Sequence, residues 1–170
     1  ARFSSRVANQ RLTDAAAEYV GADLKKVLDV GCGDGTYTAE LKNRFPLVDF
    51  SGFDPAQAAI ELAGRRFKDI RFFVGDAMKE DSLPAEMFDL AILRGVLHHT
   101  SDPAKIIRNL RAITRRLLII EPNGYNPVLK LIECCSRYHR EHEEQSFAPA
   151  LLKRWCREAG FRIDQVDYVG

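Results

Sequence analysis

Short apolar runs alternate with longer amphipathic stretches along this chain, and the alternation constrains the fold more than any other feature. Residues 27–30 (VLDV) stop at a glycine cluster, as a buried parallel strand does. Residues 50–53 end at Asp54-Pro55, residues 70–74 at Gly75-Asp76, and residues 117–120 at Glu121-Pro122, with residues 90–93 a further run of the same kind. Residues 161–169 alternate well enough to be expected as a sixth strand. Between the runs lie helical stripes. Ile106, Ile107, Leu110 and Ile113 recur at three- and four-residue steps after Asp102, a suitable N-cap, and Pro103, suited to a first turn. Leu151, Leu152, Trp155, Cys156 and Ala159 form a second stripe, closed by Gly160. Leu12, Ala15, Ala16, Tyr19 and Val20 form a third, closed by Gly21, and Ala56, Ala59, Ile60 and Ala63 a fourth. Residues 36–44, and the stretch with Val128, Leu131, Ile132 and Cys135, are expected to be helical too. Strands that alternate with helices need crossover connections. The expectation is therefore an α/β fold, a three-layer Rossmann-like sandwich with a mostly parallel sheet and helices on both faces.

A chain of 170 residues suits one domain, expected over 1–170. Lys and Arg number 25 against 24 Asp and Glu, so no global positive field would gather the phosphates of a nucleic acid. No apolar run approaches the roughly 20 residues of a membrane span. The opening ARFSSRVANQ lacks the apolar core of a signal peptide, and without a leading Met the chain is expected to be trimmed. Cys32, Cys134, Cys135 and Cys156 contain no C-x-x-C pair, and with the four histidines they match no usual zinc spacing. Free thiols in a reducing cytoplasm, with no metal, are expected.

The most informative stretch is VLDVGCGDGT, residues 27–36. Its three glycines sit where a strand hands over to a helix and let a ligand press against bare backbone. The spacing is G-x-G-x-G and not the G-x-G-x-x-G of dinucleotide sites. Asp29 precedes the turn, so a diphosphate is repelled and an amino group attracted. Asp54 closes the second strand about 20 residues on, where an acid can take both hydroxyls of a ribose or simply cap the helix that follows. Asp76 is a third acid at a strand's carboxyl end, the edge where open α/β sheets bind ligands.

These residues resemble motif I of the class I S-adenosylmethionine-dependent methyltransferases, of the small-molecule, type 11-like kind. GFDPA, GDAM and FDLAILRGVLHHTSDP are similar to the family's later motifs in order, and the resemblance covers residues 25–121. It implies S-adenosylmethionine as cofactor and a seven-stranded sheet with a final antiparallel strand. The chain ends at Gly170, directly after the expected sixth strand, which leaves no sequence here for that final strand. By the resemblance, Asp29, Gly31, Cys32 and Gly33 hold the methionine portion, Asp54 the ribose, and Asp76 with Ala77 the adenine. Pro55 takes the place of a residue that packs on the adenine ring, while Arg94 and Gly95 line the space near the sulfonium.

His98 and His99 follow the fourth strand at the same edge, and imidazole titrates where a general base should. Either one also suits a structural hydrogen bond. His139, His142, Glu143 and Glu144 read most simply as a solvated helix face, with Glu143 and Glu144 facing an acceptor as the alternative. Residues 122–147, with Asn123, Tyr125 and Asn126, interrupt the strand–helix rhythm and are expected to wall an acceptor pocket. Three functions stay open: methyl transfer to a small-molecule acceptor (metabolite, lipid or sugar), a non-catalytic cofactor-binding domain, and an NAD-dependent oxidoreductase. The oligomeric state leaves no mark on the sequence.

Overall fold

The computed structural model describes residues 2–21, 23–124 and 146–168, with side chains from residue 10 onward. Among the described residues five strands are present: β1 (Lys26–Val30), β2 (Asp49–Asp54), β3 (Arg71–Val74), β4 (Phe88–Arg94) and β5 (Thr114–Ile120). The described α-helices are α1 (Arg2–Ala17), α2 (Thr36–Arg44), α3 (Gln57–Arg66), α4 (Pro103–Leu110) and α5 (Pro149–Glu158). The sheet order is β3-β2-β1-β4-β5, and every described pairing is parallel. The fold is the expected α/β architecture.

Strand periodicity sorts the core into two clusters on opposite faces of the sheet. Leu28 and Val30 of β1 join Ala91 and Leu93 of β4 under Ile106, Ile107 and Leu110 of α4. Val27, Leu90 and Ile92 join Ala16 of α1 and Ala39 and Leu41 of α2. Asp29 has the parity of Val27 and therefore points towards α2. Asp102 caps α4 as expected, its carboxylate accepting the Lys105 amide hydrogen at 2.9 Å.

Two boundaries differ from expectation. Residues 161–168 join no strand. Phe161 and Ile163 pack on the α4 cluster, which explains the alternation, but a strand also needs a backbone partner along its length. The N-terminal stripe continues past the end of α1. Tyr19 and Val20 reach it through three-residue turn bonds to Ala16 and Ala17, so that the stripe and the helix do not end together.

Candidate functional site

The chain order runs outward from β1 through β2 to β3, then crosses to β4 on the other side of β1. This is a topological switch point, where loops leave neighbouring strands in opposite directions and open a crevice at their carboxyl ends. The turn after β1 and the turn after β4 flank that crevice. Gly31, Gly33, Arg94, Gly95 and His98 line one cleft of about 480 Å³, together with Tyr37 of α2, Leu12 of α1 and Glu121 after β5.

The glycine turn is held from below and from the side. The amide hydrogens of Gly31 and Cys32 both go to the Phe53 carbonyl, at 2.8 and 3.1 Å, so β2 anchors the turn. The Asp54 carboxylate accepts from Gly33 at 3.0 Å and from Ala56 at 2.8 Å. Gly33 takes φ 56°, a left-handed conformation that costs other residues about 1–2 kcal/mol. A Cβ added there would meet no atom within 4 Å, whereas one at Gly31 would stand 2.6 Å from Val96 Cγ2. The two glycines are thus required for different reasons. Gly31 lets the chain pack, and Gly33 leaves an open face.

Beneath the turn, Asp29 is buried and accepts from Thr38 Oγ1 at 2.5 Å. Burial raises its pKa, against the pull of the Thr38 hydrogen bond and of the Arg94 charge. Burial likewise lowers the Arg94 pKa, against Asp29. Arg94 donates to Thr13 Oγ1 at 3.1 Å and lies 3.7 Å over the Tyr37 ring. Burial, reinforced by Asp29 and Asp54, pushes the Cys32 thiol well above its usual range, which leaves it an unreactive wall atom.

The other expected residues sit around this centre. Asp54 is half-buried at the turn, and Pro55 is exposed beside it. The Asp76 carboxylate folds back onto the Met78 amide at 2.9 Å, and the Ala77 carbonyl accepts from Asn109 at 2.9 Å. Asp54, Pro55, Asp76 and Ala77 stand at the same sheet edge but outside the cleft lining. His98 lines the cleft, while His99 is exposed with its ring centroid 3.9 Å from that of His98.

Glu121, Tyr37 and Thr38 were not singled out as site residues by the sequence. Glu121 carried a usable signal, since it is a fourth acid closing a strand at the same edge. Thr38 and Tyr37 carried none, because a helix's inward face is set by packing. Pro122 lines the cleft, and Asn123 bridges to Phe147. Tyr125, Asn126, Val128, Leu131, Ile132, Cys134, Cys135, His139, His142, Glu143 and Glu144 lie outside the described residues. Cys32 and Cys156 are free thiols. Among the described residues, no group of three or more His, Cys, Asp or Glu is placed to hold a metal ion, and no helix is long and apolar enough to cross a membrane.

A family model described as "Methyltransferase domain" matches residues 2–166. A malonyl-[acyl-carrier protein] O-methyltransferase of a Paenibacillus species is 30% identical over 151 residues, covering 80% of this chain and 55% of that protein. A tRNA U34 carboxymethyltransferase of Campylobacter jejuni is 26% identical over 152 residues, covering 84% of this chain and 51% of that protein. The chain thus spans about half the length of these curated relatives. A solved magnesium protoporphyrin IX methyltransferase from Synechocystis, with bound SAH, superposes at a TM-score of 0.79. That match covers 97% of this chain and 78% of the other at 19% identity, and it speaks for the fold alone.

Proposed function

The chain belongs to the methyltransferase domain family, and on that premise we propose that it binds S-adenosylmethionine at the switch point and transfers a methyl group to a small-molecule acceptor. The observation that carries the reading is Gly33. Its left-handed backbone is bonded to Asp54 and faces space in which a Cβ would meet nothing within 4 Å. That is a surface shaped for a ligand lying against main chain. The cleft volume of about 480 Å³ falls within the roughly 300–1,000 Å³ of small-molecule sites.

The residues fit the cofactor's chemistry. Asp29, buried beneath Gly31, Cys32 and Gly33 and bonded to Thr38, is the acid for a ligand amino group. Asp54 is the residue for the ribose hydroxyls, Pro55 the one that packs on the adenine ring, and Asp76 with Ala77 the pair for the adenine. Arg94 and Gly95 flank the reacting centre. Bound S-adenosylmethionine supplies a methyl already activated by its sulfonium sulfur. The protein's task is alignment, which supplies about 7–11 kcal/mol in ideal intramolecular cases. His98 and His99 are the candidates for taking a proton, and His98 is the one in the cleft wall.

A small acceptor is favoured by a net charge of +1, which gives no field for nucleic acid. The tRNA-modifying relatives nonetheless make RNA a necessary control. We read residues 1–170 as one such domain acting in the cytoplasm. The test is calorimetric titration with S-adenosylmethionine and, separately, NADH, followed by S-adenosylhomocysteine release with a metabolite extract or with bulk tRNA. Binding of the first cofactor with release on the extract supports the reading. NADH binding alone supports an oxidoreductase, release on tRNA alone replaces the acceptor class, and binding without release leaves a non-catalytic domain.

A further inference from the structure

Arg94 closes β4, an inner strand between β1 and β5, and shares the cleft wall with Leu12, Gly33 and Tyr37. Its guanidinium is fixed on two sides. It lies 3.7 Å over the Tyr37 ring, and Nη1 donates to Thr13 Oγ1 at 3.1 Å. Among the described residues, Nε and Nη2 have no hydrogen-bond partner, and neither is sealed from solvent. With strands paired on both sides of β4, the space onto which they open is the cleft. Nε–H and the adjacent Nη2–H form one planar edge of the group, the edge that grips both oxygens of a carboxylate.

No carboxylate among the described residues fills that edge. Asp29 and Glu40 act on Arg94 by charge, from beyond ion-pair distance. Asp29 accepts from Thr38, and Glu40 keeps Oε2 buried with no partner. The acids of the cleft wall are engaged elsewhere, Asp34 with Arg66 and Glu121 with His98 and two backbone amides. A partly desolvated guanidinium with open donors costs free energy that an incoming anion recovers. Asp29 and Glu40 also limit its charge: a monoanion balances Arg94, whereas a phosphate dianion meets added repulsion from both acids.

We propose that Arg94 is a specificity residue of the acceptor pocket, binding a carboxylate of the acceptor through its Nε–Nη2 edge. This rests on the methyltransferase reading and narrows the acceptor to a small metabolite that carries a carboxylate. S-adenosylmethionine is a second source of the same group. Its carboxylate, however, shares a carbon with the amino group read as the partner of Asp29, several bonds from the sulfur, and Arg94 is read beside the sulfur.

The protein saturated with S-adenosylhomocysteine is titrated with acetate and benzoate, and with their neutral counterparts acetamide and benzamide. Calorimetry gives the affinities. The Arg94 Nε–H signal in NMR, assigned by its absence from Arg94→Lys, reports where the probes bind. Expected is a carboxylate that moves this signal and binds at least about tenfold tighter than its amide, with the difference gone in Arg94→Gln. S-adenosylhomocysteine release should follow from the anion-exchange-retained fraction of a metabolite extract and not from the flow-through. The cofactor arm compares S-adenosylmethionine with its decarboxylated form. Losing that carboxylate should cost the same affinity in wild type and Arg94→Gln, because groups that do not interact act additively. The proposal is overturned by the absence of any preference for a carboxylate, by a preference that leaves the Arg94 signal unmoved, or by an equal response to inorganic phosphate. Release from the flow-through alone, or a cofactor carboxylate whose loss matters only in the wild type, overturns it too. The carboxylate–amide comparison needs only the wild type and so survives a variant that does not fold. Wild-type protein that binds neither S-adenosylmethionine nor S-adenosylhomocysteine would instead sink the function reading, and the same titration of the ligand-free protein would still test Arg94.

Discussion

Asp54 holds Gly33: the carboxylate accepts the glycine amide hydrogen at 3.0 Å across 21 residues of sequence, while its other oxygen takes Ala56 at 2.8 Å. One side chain both shapes the turn and holds the residue that leads into the next helix. Asp54→Ala is therefore expected to weaken S-adenosylmethionine binding by about 1.5–3 kcal/mol and to lower stability by about 1–3 kcal/mol. Asp54→Asn keeps an acceptor and should recover part of the stability. Calorimetry and urea unfolding measure the two losses. Unchanged affinity in a folded alanine variant would reduce Asp54 to a brace for the turn.

Gly33 and Gly31 should fail differently. At Gly33 only backbone strain opposes a side chain, so Gly33→Ala is expected to cost about 1–2 kcal/mol of stability and proportionally more of the cofactor affinity. Gly31→Ala must also displace Val96, 2.6 Å away, which adds about 1–3 kcal/mol of overpacking. Paired unfolding and binding curves decide this. Wild-type binding by Gly33→Ala would remove that residue from the ligand's path.

Asp29 should give stability a pH dependence. Burial raises its folded pKa above the unfolded value of 3.8, so the native state holds the proton more tightly than the unfolded chain. The resulting contribution is fully present below that unfolded value and is lost as pH rises through the folded one. Asp29→Asn, whose amide oxygen still accepts from Thr38, should lack this loss. Denaturant unfolding between about pH 4 and about pH 8 compares the slopes. Identical slopes would acquit Asp29.

Asn109 is a residue that no motif marks. It is 4% exposed and donates to the Ala77 carbonyl at 2.9 Å, tying α4 to the turn after β3. Asn109→Ala is expected to cost about 1–3 kcal/mol, the penalty for leaving a buried acceptor unpaired. A modest rise in cofactor Kd with little change in kcat should accompany it. A variant that unfolds like the wild type would show that the carbonyl finds another donor.

Local chemistry made much of this protein readable before any coordinates. The alternation of apolar runs and helical stripes marked the five described strands: β1, β2 and β4 are buried on both faces and apolar by necessity, whereas the outer strands β3 and β5 are only partly covered. The left-handed turn at Gly33, the Asp102 cap and the acids at strand ends follow from properties of single residues. The same reasoning expected a strand at residues 161–168, where Phe161 and Ile163 pack on the core between exposed neighbours but, among the described residues, no strand forms.

Whatever depends on two distant segments meeting was decided by the tertiary structure. The order β2-β1-β4-β5 sets the turn after β4 between the glycine turn and the end of β5. Only that adjacency brings Glu121 to His98 over 23 residues, and Thr13 to Arg94 over 81. Asp29 was legible as an acid by a turn, but its burial against Thr38, and the shift that burial causes, belong to the packing of α2 on β1. Periodicity reports which face of an element is apolar and says nothing about which other element covers it. Strand order and register, fixed by the collective burial of the sheet, assign those partners.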